Sequence, residues 1–141
     1  MIQNLAVECR MPLCYGGGVT SVGQFKKIIS LGVEKVAISA AAVKDPSLIS
    51  HAAKVVGSQS VVVVVDVKKK RFSSKYEAYT NNGRLATKFD IVELAKKFES
   101  LGAGEIVINS IDQDGSMQGY DLKLVEQARN AVSIPLTVLG G

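Results

Sequence analysis

The chain has 141 residues, 47% of them hydrophobic, and a mean hydropathy of +0.20, which exclude an intrinsically disordered chain and predict one domain over residues 1–141. The longest apolar run, Val61–Val65, has the length of a strand and falls far short of the ~18 residues of a membrane span. Part of the net charge of +4 comes from the basic run Lys68–Arg71, which we interpret first as a solvated loop after a strand. Such a cluster can also attract a phosphorylated substrate. Nucleic-acid binding is not predicted, because few aromatic residues interleave the run and no DNA-binding motif surrounds it.

Cys9 and Cys14 are the only cysteines, and no second pair is present to complete a metal site. We therefore predict reduced thiols. The N-terminus lacks a basic region followed by an apolar one, so no signal peptide is expected and the predicted location is the cytoplasm.

Short β-rich runs alternate with helical patterns along the chain. The predicted strands are Pro12–Tyr15, Lys35–Ser39, Val61–Val67, Glu105–Ser110 and Pro135–Leu139. Apolar residues at helical spacing predict helices that include Val22–Ile29, Leu48–Val56, Phe89–Phe98 and Leu122–Ala128. Residues 1–10 are interpreted as the tail of a further helix.

Capping residues support the predicted helices. Asp45 precedes Pro46, which suits the first position of a helix, and Asp90 stands three residues before Glu93, the spacing of a capping box. The predicted helix ends are Gly32, Gly57 and Gly102.

The strands are apolar on both faces, which is typical of a parallel sheet covered by helices. Alternation of strands and helices predicts an α/β fold, either doubly wound or a (β/α) barrel. Residues 30–39 (SLGVEKVAIS) resemble residues 100–109 (SLGAGEIVIN), and this internal repeat favours a barrel of equivalent units. Residues 75–88 instead alternate in period two around Asn82-Gly83, which predicts a β-hairpin in the loop after the Val61 strand.

Ligands of parallel α/β proteins bind at the carboxyl ends of the strands. The first predicted strand ends in Gly16-Gly17-Gly18 and the last in Gly140-Gly141. Glycines let backbone N–H groups approach an anion, so the two ends predict two phosphate sites or one shared site. The simpler interpretation is that these glycines only permit tight turns.

Three further groups are candidates for chemistry. Asp66 follows five valines at the rim of an apolar interior and is a candidate general acid or base, with a salt bridge to Lys68 as the structural alternative. Asp112 and Asp114 have no third carboxylate or histidine nearby, so neither a metal nor another cofactor is expected. His51 falls within a predicted helix and is interpreted as an exposed polar residue.

These residues, taken together, resemble one family. The matching segments are YGGG, SLGVEKVAIS with AAAV and DP, GSQSVVVVVDVK, the NNG hairpin, LGAGEI with SID, DG and MQGYD, and the final IPL-V-GG. They resemble the cyclase subunit of imidazole glycerol phosphate synthase over essentially the whole chain. Within that family, three segments, VVVDVKKK, INSID and IPLTVLGG, resemble paralogues associated with lipopolysaccharide genes and with amidation of a nucleotide-linked sugar.

The resemblance implies a (β/α)8 TIM barrel that receives ammonia from a glutamine amidotransferase partner. It also implies a bis-phosphorylated substrate, a lyase and cyclisation reaction in histidine biosynthesis, and two aspartates as general acid and base. Asp66 matches one aspartate, and no residue of this chain matches the other.

The resemblance also implies the roles of other residues. Gly18 and Ser39 match one phosphate site, and Lys35 and Glu105 match two charged residues of the gate that admits ammonia. The second phosphate site is matched by Asp114, Gly115 and Gly141. The family's asparagine-threonine pair is replaced by Ser39-Ala40, which removes a phosphate-binding hydroxyl and suggests an altered substrate.

The chain corresponds to about five βα units, strands three to seven of the family barrel. We therefore expect a partial barrel that is inactive alone. The alternatives are the sugar-amidation paralogue and a non-catalytic phosphate binder that forms homo-oligomers through its open sheet edges.

Overall fold

The computed structural model describes residues 1–8 and 11–141, so the prediction for Cys9 lies outside the described residues. The helices are α1 (Ile2–Glu8), α2 (Val22–Ser30), α3 (Ala40–Lys44), α4 (Ser47–Val56), α5 (Ile91–Ser100) and α6 (Leu122–Ala131). The strands are β1 (Cys14–Gly16), β2 (Lys35–Ile38), β3 (Val61–Lys69), β4 (Tyr76–Thr80), β5 (Leu85–Asp90), β6 (Glu105–Ser110) and β7 (Leu136–Leu139). None of these helices has the length and apolar character needed to cross a lipid bilayer.

Five strands form a parallel sheet in the order β1-β2-β3-β6-β7, with β3 at the centre. The predicted hairpin is formed by β4 and β5, which are antiparallel, and β4 pairs with the last residues of β3. One edge of β3 pairs with β6 as far as Val67. The other edge pairs with β2 as far as Val63 and then, from Asp66 onward, with β4. The hairpin therefore stands above the carboxyl end of β2.

All the large helices cover one face of the sheet. The core consists of helix residues such as Phe25, Ile49 and Phe98 packed against strand side chains that all lie on the same face of the sheet. One registered row of that face consists of Ile38, Val63, Ile106 and Leu136. A doubly wound sheet would bury both faces under helices, so this one-sided layer is the wall of a partial (β/α) barrel, as predicted.

The predicted caps are partly confirmed. Asp90 is the N-cap of α5 and accepts a hydrogen bond from the Val92 amide at 2.8 Å. Asp45 was predicted to be the N-cap of α4, but the N-cap is the next residue, Pro46. The Asp45 carboxylate still accepts a hydrogen bond from the Ser47 amide at 3.1 Å. The three predicted helix-ending glycines have positive φ angles: Gly32, Gly57 and Gly102.

Several predicted boundaries were wrong. Phe89 was assigned to the helical face but belongs to β5, because Asp90 is the N-cap and α5 begins at Ile91, two residues after Phe89. The helix α6 does begin at Leu122, the first residue of its predicted apolar face, but that side chain is 75% exposed. Lys68 and Lys69 extend β3 instead of forming a loop, because they pair with Glu77 and Tyr76 of the hairpin.

Candidate active site

Asp66 lies near the carboxyl end of β3, on the face opposite the helices. It stands in register with Asn109 of β6, whose side-chain amide donates to Asp66 Oδ1 at 3.0 Å. No ion pair joins Asp66 to Lys68 within residues 11–141; Lys68 Nζ lies 4.9 Å from the centroid of the Tyr79 ring. The aspartate is thus oriented by a neutral donor, which leaves its other oxygen available to a ligand.

The first glycine-rich strand end opens on a cavity of about 930 Å³. Gly17 and Gly18 line it with φ angles of 115° and 70°, and the space where their Cβ atoms would lie is open. Ser39 and Ala40 of the neighbouring strand end line the same cavity, and Ser39 makes no side-chain capping hydrogen bond. The predicted residues Gly18 and Ser39 are therefore brought to one cavity.

The second glycine-rich end packs against the loop after β6. A Cβ on Gly140 would lie 2.5 Å from the Ser110 carbonyl oxygen and 3.4 Å from the Asp114 amide nitrogen. A Cβ on Gly141 would lie 3.1 Å from the carbonyl carbon of Gly119. The structure therefore places the end of β7 beside the loop that carries Asp114 and Gly115, which are both exposed.

Lys35 and Glu105 meet at the amino ends of the strands. The Lys35 Nζ lies 2.7 Å from Glu105 Oε2, and Thr137 donates to the other carboxylate oxygen at 2.9 Å. Glu105 stands in register with Val62 of β3. Val62 precedes Asp66 by four residues on β3, so the ion pair lies roughly 13 Å below the aspartate. This pair also joins equivalent positions of the internal repeat.

The ion pair shifts the ionisation of its own members. The hydrogen bond from Lys35 lowers the pKa of the Glu105 carboxyl, and the same bond raises the pKa of the Lys35 ammonium. Cys14, which stands in register with Lys35, is an exposed free thiol. Although the residue is exposed, desolvation by the surrounding protein, and then the charge of Glu105, raise the pKa of the Cys14 thiol.

Glu105→Gln is expected to destabilise the protein at pH 7 by about 1 kcal/mol or less, because the Lys35 side chain is 39% exposed and solvent screens the pair. A carboxyl pKa below the ordinary value of 4.5 contributes stability above that pH and loses it as the pH falls through the folded value. The difference between wild type and variant should therefore shrink at pH 3. Urea denaturation at both pH values measures it, with the exposed Glu126→Gln as control; an equal difference at both would contradict the assignment.

Two residues of this region escaped sequence reasoning. Asn109 lay in the predicted strand-end segment, but only the register of β3 and β6 pairs it with Asp66. Arg84 lay beside the predicted hairpin turn, but only the pairing of β4 with β3 brings the turn to the cavity. No local sequence pattern identifies either contact.

The chain matches the family described as "Histidine biosynthesis protein" over residues 1–141. A protein of Vibrio vulnificus (strain YJ016), provisionally named an imidazole glycerol phosphate synthase subunit, is 50% identical over all of this chain and 54% of its own length. The imidazole glycerol phosphate synthase subunit HisF of Lactococcus lactis subsp. cremoris (strain SK11) is 45% identical, over 100% of this chain and 54% of that protein. The same subunit of Clostridium botulinum (strain Okra / Type B1) is 40% identical, over 100% and 56%.

The chain thus spans about half the length of the curated relatives it matches. The match extends from the first residue to the last, so it includes Asp66, both glycine-rich strand ends and the Lys35–Glu105 pair. The resemblance stated from the sequence is confirmed: the chain belongs to the histidine biosynthesis protein family, and its relatives include proteins named imidazole glycerol phosphate synthase subunit HisF.

Proposed function

We propose that this chain is part of an ammonia-using cyclase subunit of the imidazole glycerol phosphate synthase type, with Asp66 as one of its two acid–base carboxylates. The observation that carries the proposal is the position of Asp66 on the central strand, with one glycine-rich strand end two strands away on either side. Four strand spacings separate those ends, roughly 19 Å along the sheet. A substrate with a phosphate at each end can therefore be held with its middle at Asp66.

Each residue then has a role in this reaction. Gly18 and Ser39 bind one phosphate, and Asp114, Gly115 and Gly141 bind the other through backbone groups. Asp66, held by Asn109, transfers a proton at the reacting centre of the substrate. The ammonia comes from a glutamine amidotransferase partner at the amino ends of the strands, where the Lys35–Glu105 pair forms part of the gate.

The departure at Ser39-Ala40 favours a second substrate, a nucleotide-linked sugar that is amidated. Ala40 lines the cavity without a hydroxyl, so this wall offers phosphate one side-chain donor where the family has two. Both candidates require ammonia and an anionic substrate, and they differ in the group that fills the remainder of the cavity.

The proposal predicts that the 141-residue chain alone, supplied with the bis-phosphorylated intermediate and ammonium, gives no turnover. A pair of carboxylates is needed to give and to take the proton, and Asp66 is the residue of this chain that matches one of them. Product formation, followed by absorbance with the Lactococcus lactis HisF subunit as positive control, is the measurement. A rate near that of the control would contradict the proposal.

Light scattering on the same sample tests a non-catalytic alternative, a self-associating phosphate binder. Within the described residues, β1 pairs only with β2 and β7 only with β6, so each leaves one edge unpaired. Unpaired parallel edges favour association between copies. The alternative predicts a stable dimer or larger oligomer that binds phosphate, and a well-folded monomer would exclude it.

A further inference from the structure

We propose that Arg84, at the tip of the β4–β5 hairpin, is an anion-binding residue that completes the first phosphate site from above. This inference rests on the proposed function of the cavity lined by Gly18 and Ser39. Asn81, Asn82 and Arg84 line that cavity together with the two strand ends. The hairpin tip is therefore a third wall of the site.

The charge of the cavity wall favours an anion. Arg84 is the only charged residue among the described residues that line the cavity, and no carboxylate shares the wall with it. Arg84 is exposed and makes no ion pair with a carboxylate in the part of the chain that the structure describes. Its guanidinium is thus free to bind a ligand rather than being neutralised by the protein.

The backbone of the tip is fixed by packing rather than left loose. Gly83 is buried with a φ angle of +73°, and a Cβ at this position would overlap the Ile111 side chain, which follows β6. The Arg84 amide donates to the Thr80 carbonyl at 3.1 Å, and Thr80 is itself buried. The backbone of Arg84 is therefore held at the cavity wall, and its side chain lines the cavity.

The chemistry of guanidinium suits phosphate. A planar guanidinium donates two parallel hydrogen bonds to a phosphate, and these charge-assisted bonds are stronger than those of a hydroxyl. Since Ala40 supplies no hydroxyl, an arginine that reaches in from the hairpin replaces the lost donor with a charged one. The ligand class is a sugar phosphate, because the cavity of about 930 Å³ has room for the sugar as well as the phosphate.

The test uses the 141-residue chain, with inorganic phosphate and ribose 5-phosphate as probes. Amide NMR shifts of Gly17 and Gly18 report binding at this cavity separately from the second glycine-rich end. Arg84→Met should weaken ribose 5-phosphate binding at these amides about 10- to 100-fold, and Arg84→Lys should weaken it less. The control, Lys97→Met, removes an exposed positive charge in the last turn of α5 that does not line the cavity and should leave the affinity unchanged.

The outcomes separate this inference from the proposed function. Unchanged affinity in Arg84→Met, with Gly17 and Gly18 still responding to the probe, would overturn the role of Arg84 and leave the phosphate site standing. Wild-type chain whose Gly17 and Gly18 amides do not respond to either probe would overturn both the site and the inference. Equal weakening by Lys97→Met would show a general charge effect and also overturn the role of Arg84.

Discussion

Gly104→Ala is expected to lower the free energy of unfolding by about 3 kcal/mol, at the upper end of the cost of overpacking a tight site. A Cβ at this position would overlap the Ser58 carbonyl oxygen and would lie 2.6 Å from the Ser58 carbonyl carbon and 2.9 Å from Gln59 Cα. These are backbone atoms, so no side chain can rotate to make room. The Gly104 amide also donates to the Val61 carbonyl at 2.9 Å, and this bond aligns the start of β6 with the start of β3.

The consequence of Gly104→Ala extends to the site, because β3 and β6 carry Asp66 and Asn109 in register. Urea denaturation followed by circular dichroism measures the loss. Gly23→Ala is the matched control: Gly23 lies in the first turn of α2 with a negative φ, and the nearest atom to its added Cβ is 4.0 Å away. That variant should be stabilised by roughly 0.5 kcal/mol through helix propensity. A Gly104→Ala protein as stable as wild type would contradict the close approach.

Gly140→Ala has the second largest expected effect and acts on the second glycine-rich end. Its added Cβ would lie 2.5 Å from the Ser110 carbonyl oxygen, and the φ angle of +97° is one that alanine rarely adopts. The strain and the clash together should cost about 2 to 3 kcal/mol. The clash is with a backbone oxygen of Ser110, the last residue of β6, and no side chain can rotate to relieve it. We therefore expect β7 to move away from the loop that holds Asp114.

Phosphate binding shows whether Gly140→Ala affects only the second of the two glycine-rich strand ends. Gly140→Ala should lose the phosphate response of the Gly115 amide in NMR and keep that of Gly18. Gly119→Ala is the control, since its φ of +87° imposes the same backbone strain and open space surrounds its added Cβ. If Gly119→Ala were as damaging as Gly140→Ala, the packing of Gly140 against Ser110 would not be the cause.

The elements of this fold were predictable because their determinants are local. Five consecutive valines, Val61–Val65, give a strand that is apolar on both faces, which is typical of an inner strand of a parallel sheet. Asn82-Gly83 favours a hairpin turn through its own backbone preferences. The glycines at 32, 57 and 102 end helices because their positive φ angles depend on the residue itself. The error at the start of α5 also has a local cause. The Asp90 carboxylate accepts a hydrogen bond from the Val92 amide and so makes Asp90 the N-cap, which leaves Phe89 in the preceding strand.

Sequence alone determined the strands, most of the helices, the hairpin and the order of the groups that stand at the strand ends. Only the tertiary structure decided which of those groups meet. The bond from Asn109 to Asp66, the approach of Gly140 to Ser110 and the placement of Arg84 over the first cavity each join residues that are far apart in the chain. Their contacts depend on the register of neighbouring strands, and register is fixed by the packing of the whole helix-covered face rather than by any one segment.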